Sequence, residues 1–462
     1  MISAQDLSEM AINAAGSTEI AVVVQERSSV NLRWAVNTLT TNGLTQQQSV
    51  DVVAFVGAGA QRATATASGQ VTNPTDIVAL VEQARAAAQR AAPAASAAPL
   101  VDAGQAADWQ EGAPATSSAA LETVALGLGE AFGRARVDIV EHFGYAEHEL
   151  TTTYLATSAG TRLRHVQPAS RLEMTAKSHD RERSAWLGSA EPNMHHIDIT
   201  AMDADLRRSL ALQGRHVAVE PGRHPVLLSD SAVADLMIDL YWAADARSAL
   251  DSASVFAAPG GGTKLGTTLA QPDVTLSSNP YDPAPGMACT PFEVCAVPEP
   301  SATPFDNGLT LSETAWIDAG QLANLITTRS TAAELGRPVT PGIDNLTLTH
   351  ASGSGSIEEV AERMGDGILV TCLWYNRMVD PQTHLLTGLT RDGVYVVRGG
   401  EIAGACGNFR FNDSPASLLG RIVEAGSSRR TLAREMGDYF NRAVMPPLVI
   451  GDFNLSTLSE AR

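Results

Sequence analysis

The sequence predicts an α+β protein: small N-terminal and middle α/β units followed by a large β-rich C-terminal domain. Three observations carry this expectation. Strand-like apolar patterns precede an alanine-rich helical segment near the N-terminus, a stretch of Ala, Pro, Gly, Ser and Thr breaks the pattern at residues 94–120, and runs typical of buried strands recur after residue 360. A chain of 462 residues also exceeds what one hydrophobic core usually organises, so two or three domains are expected.

Val30, Leu32, Trp34 and Val36 recur at every second position, the period of a half-buried strand, and the apolar run at residues 52–56 reads as another strand. The helix after them has its signals in place: Asn73 to cap it, Pro74 in its first turn, Asp76 against its positive end, and an alanine-rich body that stops at Pro93. These make an N-terminal domain over residues 1–100.

Beyond the linker, residues 121–132 read as a helix, 137–140 as a strand, and Leu172, Met174 and Ala176 as one face of a further strand, giving a middle domain over residues 118–210. Pro221, Gly222 and Pro225 mark the second boundary, and the C-terminal domain covers residues 222–462. It opens with a strand at 226–228 and a helix capped near Asp230 or Ser231 that continues to about Ala246. Residues 259–304 read as irregular, 321–335 as a helix ended by Gly336 and Pro338, and 368–375 and 394–397 as buried strands. Gly399 and Gly400 suit a tight hairpin turn.

A net charge of −19, from 32 basic and 51 acidic residues, opposes attraction to phosphate backbones, so no nucleic-acid partner is expected. No apolar run reaches the roughly 18 residues of a spanning helix, and the first residues lack a basic segment followed by an apolar one; no membrane partner is expected, and a cytoplasmic location is. Cys289, Cys295, Cys372 and Cys406 are too scattered for a disulfide framework and read as free thiols.

Catalytic motifs are missing. A zincin site needs two imidazoles on a helix, a third ligand and a glutamate that activates the metal-bound water. No H-E-x-x-H or H-E-x-x-x-H occurs; His148-Glu149 continues as Leu-Thr-Thr-Thr, and His195-His196 on a strand would point to opposite faces. Thr263 separates glycine from Lys264 in what would be a phosphate loop, and the glycine positions of a nucleophile elbow around Ser354 are occupied by Ser352 and Ser356.

The run at residues 373–414, LWYNRMVDPQTHLLTGLTRDGVYVVRGGEIAGACGNFRFNDS, resembles the closing segment of the TldD/PmbA family, whose active members are zinc peptidases. EQARAAAQRAAP, TTTYLATSAGTRLRH, MGDGILVTCLW and NFRFNDS also look like this family, in the same order along the chain. The resemblance implies a C-terminal domain that contributes to a closed chamber. Active members carry H-E-x-x-x-H on the helix after the first strand of that domain. Here Ile238 and Ala243 stand at the histidine positions and Asp239 at the glutamate, and no histidine lies between His224 and His350. Cys406 lies where active members use a further ligand, in surroundings that do not match, and its role stays open.

The resemblance therefore implies a TldE (PmbA)-type subunit with no catalytic residues, metal or cofactor of its own. It would pair with a zinc-bearing TldD-type metallopeptidase to process or degrade small unfolded peptides. Tyr375, Arg377, Asp380, Arg391 and Asp392 are the candidates for lining a peptide cleft or subunit interface, against the plainer reading that they fix strands and turns. Two alternatives stand beside this: an independent hydrolase, with another nucleophile or with metal held by His142, His148 and His165, and a homo-oligomeric, for example homodimeric, peptide-binding protein. The family's older label, modulator of DNA gyrase, does not imply DNA binding at this charge.

Overall fold

The structure, a computed structural model, describes residues 2–459. Its first half is built on one antiparallel sheet of β1 (Glu19–Ala35), β2 (Thr38–Val56), β3 (Ala63–Gly69), β4 (Val140–Thr157), β5 (Arg162–Ser178) and β6 (Ser184–Glu191), in the order β3-β2-β1-β4-β5-β6. The units expected as separate N-terminal and middle domains are thus joined, because β1 pairs with β4 from Ala21–Thr157 to Trp34–Gly144.

The reason is the length of β1. Its 17 residues span about 56 Å, room for two helical layers side by side on one face. Ile20, Val22 and Val24 pack under α1 (Ala4–Ala15) and α2 (Pro74–Ala88) with Leu7, Ile77 and Val81. Val30, Leu32 and Trp34, in the same period-two phase, pack under α3 (Glu122–Asp138) and α4 (Ile199–Leu212) with Val124, Leu128 and Leu206. Asn73 caps α2 as expected, accepting from the Thr75 N–H at 3.0 Å while Asp76 accepts from the Asn73 N–H at 3.1 Å. The strand expected at residues 137–140 is instead the end of α3; Val137 is exposed, Ile139 turns the chain at φ 56°, and β4 begins at Val140.

The opposite face of β1 meets the C-terminal domain: Val23 and Leu155 pack on Phe292, and Ala21, Val53 and Phe55 on Phe305. That domain contains two sheets. The first orders β10 (Gln321–Leu322), β9 (Thr314–Asp318), β8 (Val274–Ser278), β11 (Leu346–His350), β18 (Ala443–Met445) and β17 (Arg429–Thr431). The second contains β7 (Gly222–Leu228), β12 (Gly367–Asp380), β13 (Leu385–Arg398), β14 (Glu401–Ala405), β15 (Asn408–Asp413), β16 (Ile422–Ala425) and β19 (Leu448–Ser459).

In the second sheet β12 pairs with β7, β7 with β19, β19 with β15, β15 with β13, and β13 again with β12. The ladder therefore closes on itself as a ring. Gly399 and Gly400, at φ 58° and 84°, make the β13–β14 hairpin turn, a backbone that glycine adopts without a Cβ clash. The helix expected at residues 321–335 is confined to α7 (Arg329–Leu335), capped by Thr328, because Gln321 and Leu322 pair as an edge strand with β9. Helix α5 (Asp230–Trp242) is buried in the core shared by both sheets, beside Val226, Leu276, Leu346 and Phe453.

Candidate functional site

Helix α5 follows the β7 strand end, with the Ser229 hydroxyl accepting from the Ala232 N–H at 3.2 Å as its N-cap. Apart from Asp230, Asp235 and Asp239 its sequence, DSAVADLMIDLYW, is apolar or small, the pattern of a helix packed nearly all round. Eleven of its 13 residues are buried; the two that are not are Asp239 and Trp242. The helix thus opens to space at Asp239 and Trp242. Ile238 is fully buried in the core, and Ala243, at the helix end, packs partly against it.

Asp239 meets a partner from far along the chain. The β12–β13 turn carries His384, fully buried at φ 52°, whose Nε2 lies 2.7 Å from Asp239 Oδ1. Asp380 shapes that turn, accepting from the Gln382 N–H at 3.0 Å and the Thr383 hydroxyl at 2.6 Å; the Thr383 bond, then the Gln382 bond, lowers its carboxyl below the usual range. Gln382 ties the turn to the end of the α5 region by donating to the Ser252 carbonyl at 3.2 Å. A carboxylate accepts only, so Nε2 carries the proton in this pair, and Nδ1 is buried with no hydrogen-bond partner among the described residues.

Two cavities flank this point. One, of about 400 Å³, is lined by Asp239, Trp242, Ala243, Met378 and Pro381. The other, of about 370 Å³, lies between the N-terminal sheet, which contributes Gln25 and Thr153, and the C-terminal domain, which contributes Trp242, Glu293 and Phe440. Trp242 and Ser301 line both, so one indole edges two adjoining spaces. The second cavity belongs to no motif, and its only sequence signal is the acidic residue Glu293 inside the apolar stretch PFEVCAV.

The remaining candidates are spread out. Tyr375 is exposed at φ 61°, with the Arg377 guanidinium 4.4 Å from its ring centre, and Arg377 pairs with Glu435 at 2.6 Å. Asp392 is buried away from solvent; it pairs with Arg434 at 2.9 Å and accepts from the Ser184 hydroxyl, tying β13 to β6. Arg391 lies beside it on β13, with its carbonyl 3.1 Å from Cys372 Sγ. Only Asp380 belongs to the turn that carries His384.

Asp235, one turn before Asp239, is a further buried carboxylate that motif reading passes over. It accepts from the backbone N–H groups of Arg434, Glu435 and Met436 at 3.2, 3.0 and 3.0 Å, while full burial pushes its carboxyl up to about 7. All four cysteines are free and buried, and burial pushes the Cys406 thiol up to about 12. His142 and His148 stand six residues apart on β4, about 20 Å of strand, and bond to Asp203 at 2.9 Å and Thr116 at 2.6 Å. His165 bonds to Gln167 at 3.1 Å, so the three histidines do not form one ligand set.

The sequence profile of the PmbA/TldA metallopeptidase C-terminal domain matches residues 221–457, just over half of the 462. The chain belongs to this family. No curated protein matches it at significance. Among PmbA/TldA-like folds, TldE from Thermococcus kodakarensis is 14% identical with a TM-score of 0.77, over 98% of this chain and 99% of that one. A protein described as a modulator of a DNA gyrase from Thermotoga maritima is 17% identical with a TM-score of 0.76, over 97% and 99%. A similarly described protein from Bacteroides thetaiotaomicron is 13% identical with a TM-score of 0.76, over 99% and 100%.

The PmbA/TldA family name implies a metal, and the residues at this site do not fit one. Ile238 and Ala243 offer no donor atom, one oxygen of Asp239 is engaged by His384, and no group of three or more His, Cys, Asp or Glu suited to a metal occurs among the described residues. No described helix is long and apolar enough to cross a membrane.

Proposed function

We propose that this chain is a TldE-like subunit without a catalytic metal, which pairs with a zinc-bearing TldD-type chain and helps bind small unfolded peptides for processing or degradation. The observation that carries the reading is the chemistry where α5 opens to space: Asp239 is held by His384, and the neighbouring Ile238 and Ala243 supply no ligand. Likeness along nearly the whole chain to TldE from Thermococcus kodakarensis supports the choice of subunit type.

The chain's part is then architectural: it walls the peptide space and supplies fixed polar groups. An extended peptide would be held chiefly by backbone hydrogen bonds, which give affinity without strict sequence preference. Tyr375 and Arg377, on the same strand as the cavity residue Met378, are the side chains best placed to extend that wall. Four free thiols suit the reducing cytoplasm.

The test is co-purification from native extract, followed by metal analysis of each separated chain and peptide-cleavage assays of each alone and of the mixture. The expected result is zinc in the partner only, and cleavage of unfolded peptides by the assembly. A lone chain that carries stoichiometric zinc and cleaves peptides overturns the reading.

A further inference from the structure

The second cavity is lined by acidic side chains with no basic one among them. Glu293 is 9% exposed, and its backbone is fixed by the pair Glu293 N–H to Leu309 carbonyl at 2.8 Å and Gly308 N–H to Glu293 carbonyl at 2.9 Å. Its carboxyl, which lines the cavity, has no hydrogen-bond or ion-pair partner among the described residues. Asp344 and Glu299 line the same space, and the lining contains no Lys, Arg or His. Arg442, which does not line the cavity, donates at 3.4 Å to the Asp344 backbone carbonyl.

An unpaired buried carboxyl costs folding free energy, so its neighbourhood ordinarily supplies a donor. Here the neighbourhood supplies the reverse. Burial, then Asp344 and Asp306, push the Glu293 carboxyl up to about 8. Asp306 is already neutralised by Arg329 at 2.6 Å. Trp242 and Phe440 add aromatic surface, which attracts cations and repels anions. A space with several carboxylates, aromatic walls and no cation is complementary to one ligand class.

We propose that the Glu293 cavity is a subsite for a positively charged side chain of a bound peptide, a lysine ammonium. The inference rests on the peptide-binding reading above and gives it a chemical preference. Trp242 and Ser301 line both cavities, so a peptide lying beside Asp239 reaches the Glu293 space without crossing the core.

The experiment uses the full chain and two fluorescent, N-acetylated hexapeptides that differ only by lysine or norleucine at one position, read by anisotropy. The expected result is at least tenfold tighter binding of the lysine peptide, a preference lost in Glu293→Gln and kept in the exposed charge control Glu130→Gln. On the unmodified chain, n-butylammonium should displace the lysine peptide and n-butanol should not, a measurement independent of how the variant folds. Equal, measurable affinities for both peptides, or a preference that survives in Glu293→Gln, overturn the cationic subsite and leave peptide binding standing. Absence of binding by either peptide overturns both.

Discussion

His384 Nε2 and Asp239 Oδ1 lie 2.7 Å apart although 145 residues separate them in the chain. The bond locks the β12–β13 turn onto the part of α5 that lines the cavity beside Asp239. A buried imidazole that donates to a carboxylate has its ring orientation fixed by that bond.

Replacing His384 with alanine removes that donor and leaves a void where a fully buried ring stood. The expected cost is about 2–4 kcal/mol in urea unfolding. His384→Asn, which tolerates the left-handed backbone, should recover part of it. A change under about 0.5 kcal/mol for His384→Ala would mean that the pair does not hold the turn.

Restoring the letters of the active motif should not restore the site. In the triple variant Ile238→His, Asp239→Glu, Ala243→His, the first imidazole enters an apolar environment that is fully closed at Ile238. The expected outcome is a loss of about 2–4 kcal/mol in stability and substoichiometric zinc by elemental analysis. One zinc per chain in a stably folded variant would contradict the packing described for α5.

Stability should carry the signature of Glu293. Its folded-state pKa is raised, to about 8 from the ordinary 4.5, so the folded state binds the proton more tightly than the unfolded one. Its stabilising contribution is fully present below about pH 4.5 and is lost as pH climbs through about 8, by on the order of a few kcal/mol. Glu293→Gln should flatten that part of the profile. Superimposable pH–stability curves for the two proteins between pH 5 and about 8.5 would count against the buried, unpaired carboxyl.

Asp235 should act as a clamp rather than a reactive group. Asp235→Ala orphans the three N–H groups of residues 434–436, with an expected loss of about 3 kcal/mol and faster amide exchange confined to that segment by mass spectrometry. Unchanged exchange there would show that the segment is held by Arg434, which stacks 4.8 Å from Trp186 and 5.2 Å from Trp374, instead.

Local signals were legible. The Asn73 cap, the Gly399-Gly400 turn and the buried strand at residues 226–228 are read from neighbours in sequence, and each stands where expected. The family order of short motifs carried the fold class. Residues 137–140 misled because a helix end and a short strand share the same apolar letters, and residues 321–335 because an edge strand of two residues has no period to detect. At the candidate site, Asp239 is reached through the motif resemblance, whereas His384 is not, since nothing local to either residue signals a contact between residues 145 apart in the chain. Glu293 was missed for a similar reason, its surroundings being assembled from both halves of the chain.

The closed ring has a consequence for the order of folding during synthesis. Strand β7 is made first, at residues 222–228, yet one of its two ladder partners is β19, at residues 448–459. The N-terminal sheet draws all its strands from residues 19–191 and can form while the rest is still on the ribosome. The C-terminal domain cannot close until residues 448–459 have emerged, so for more than two hundred residues of elongation β7 presents an unpaired edge that a chaperone must cover or another chain can capture.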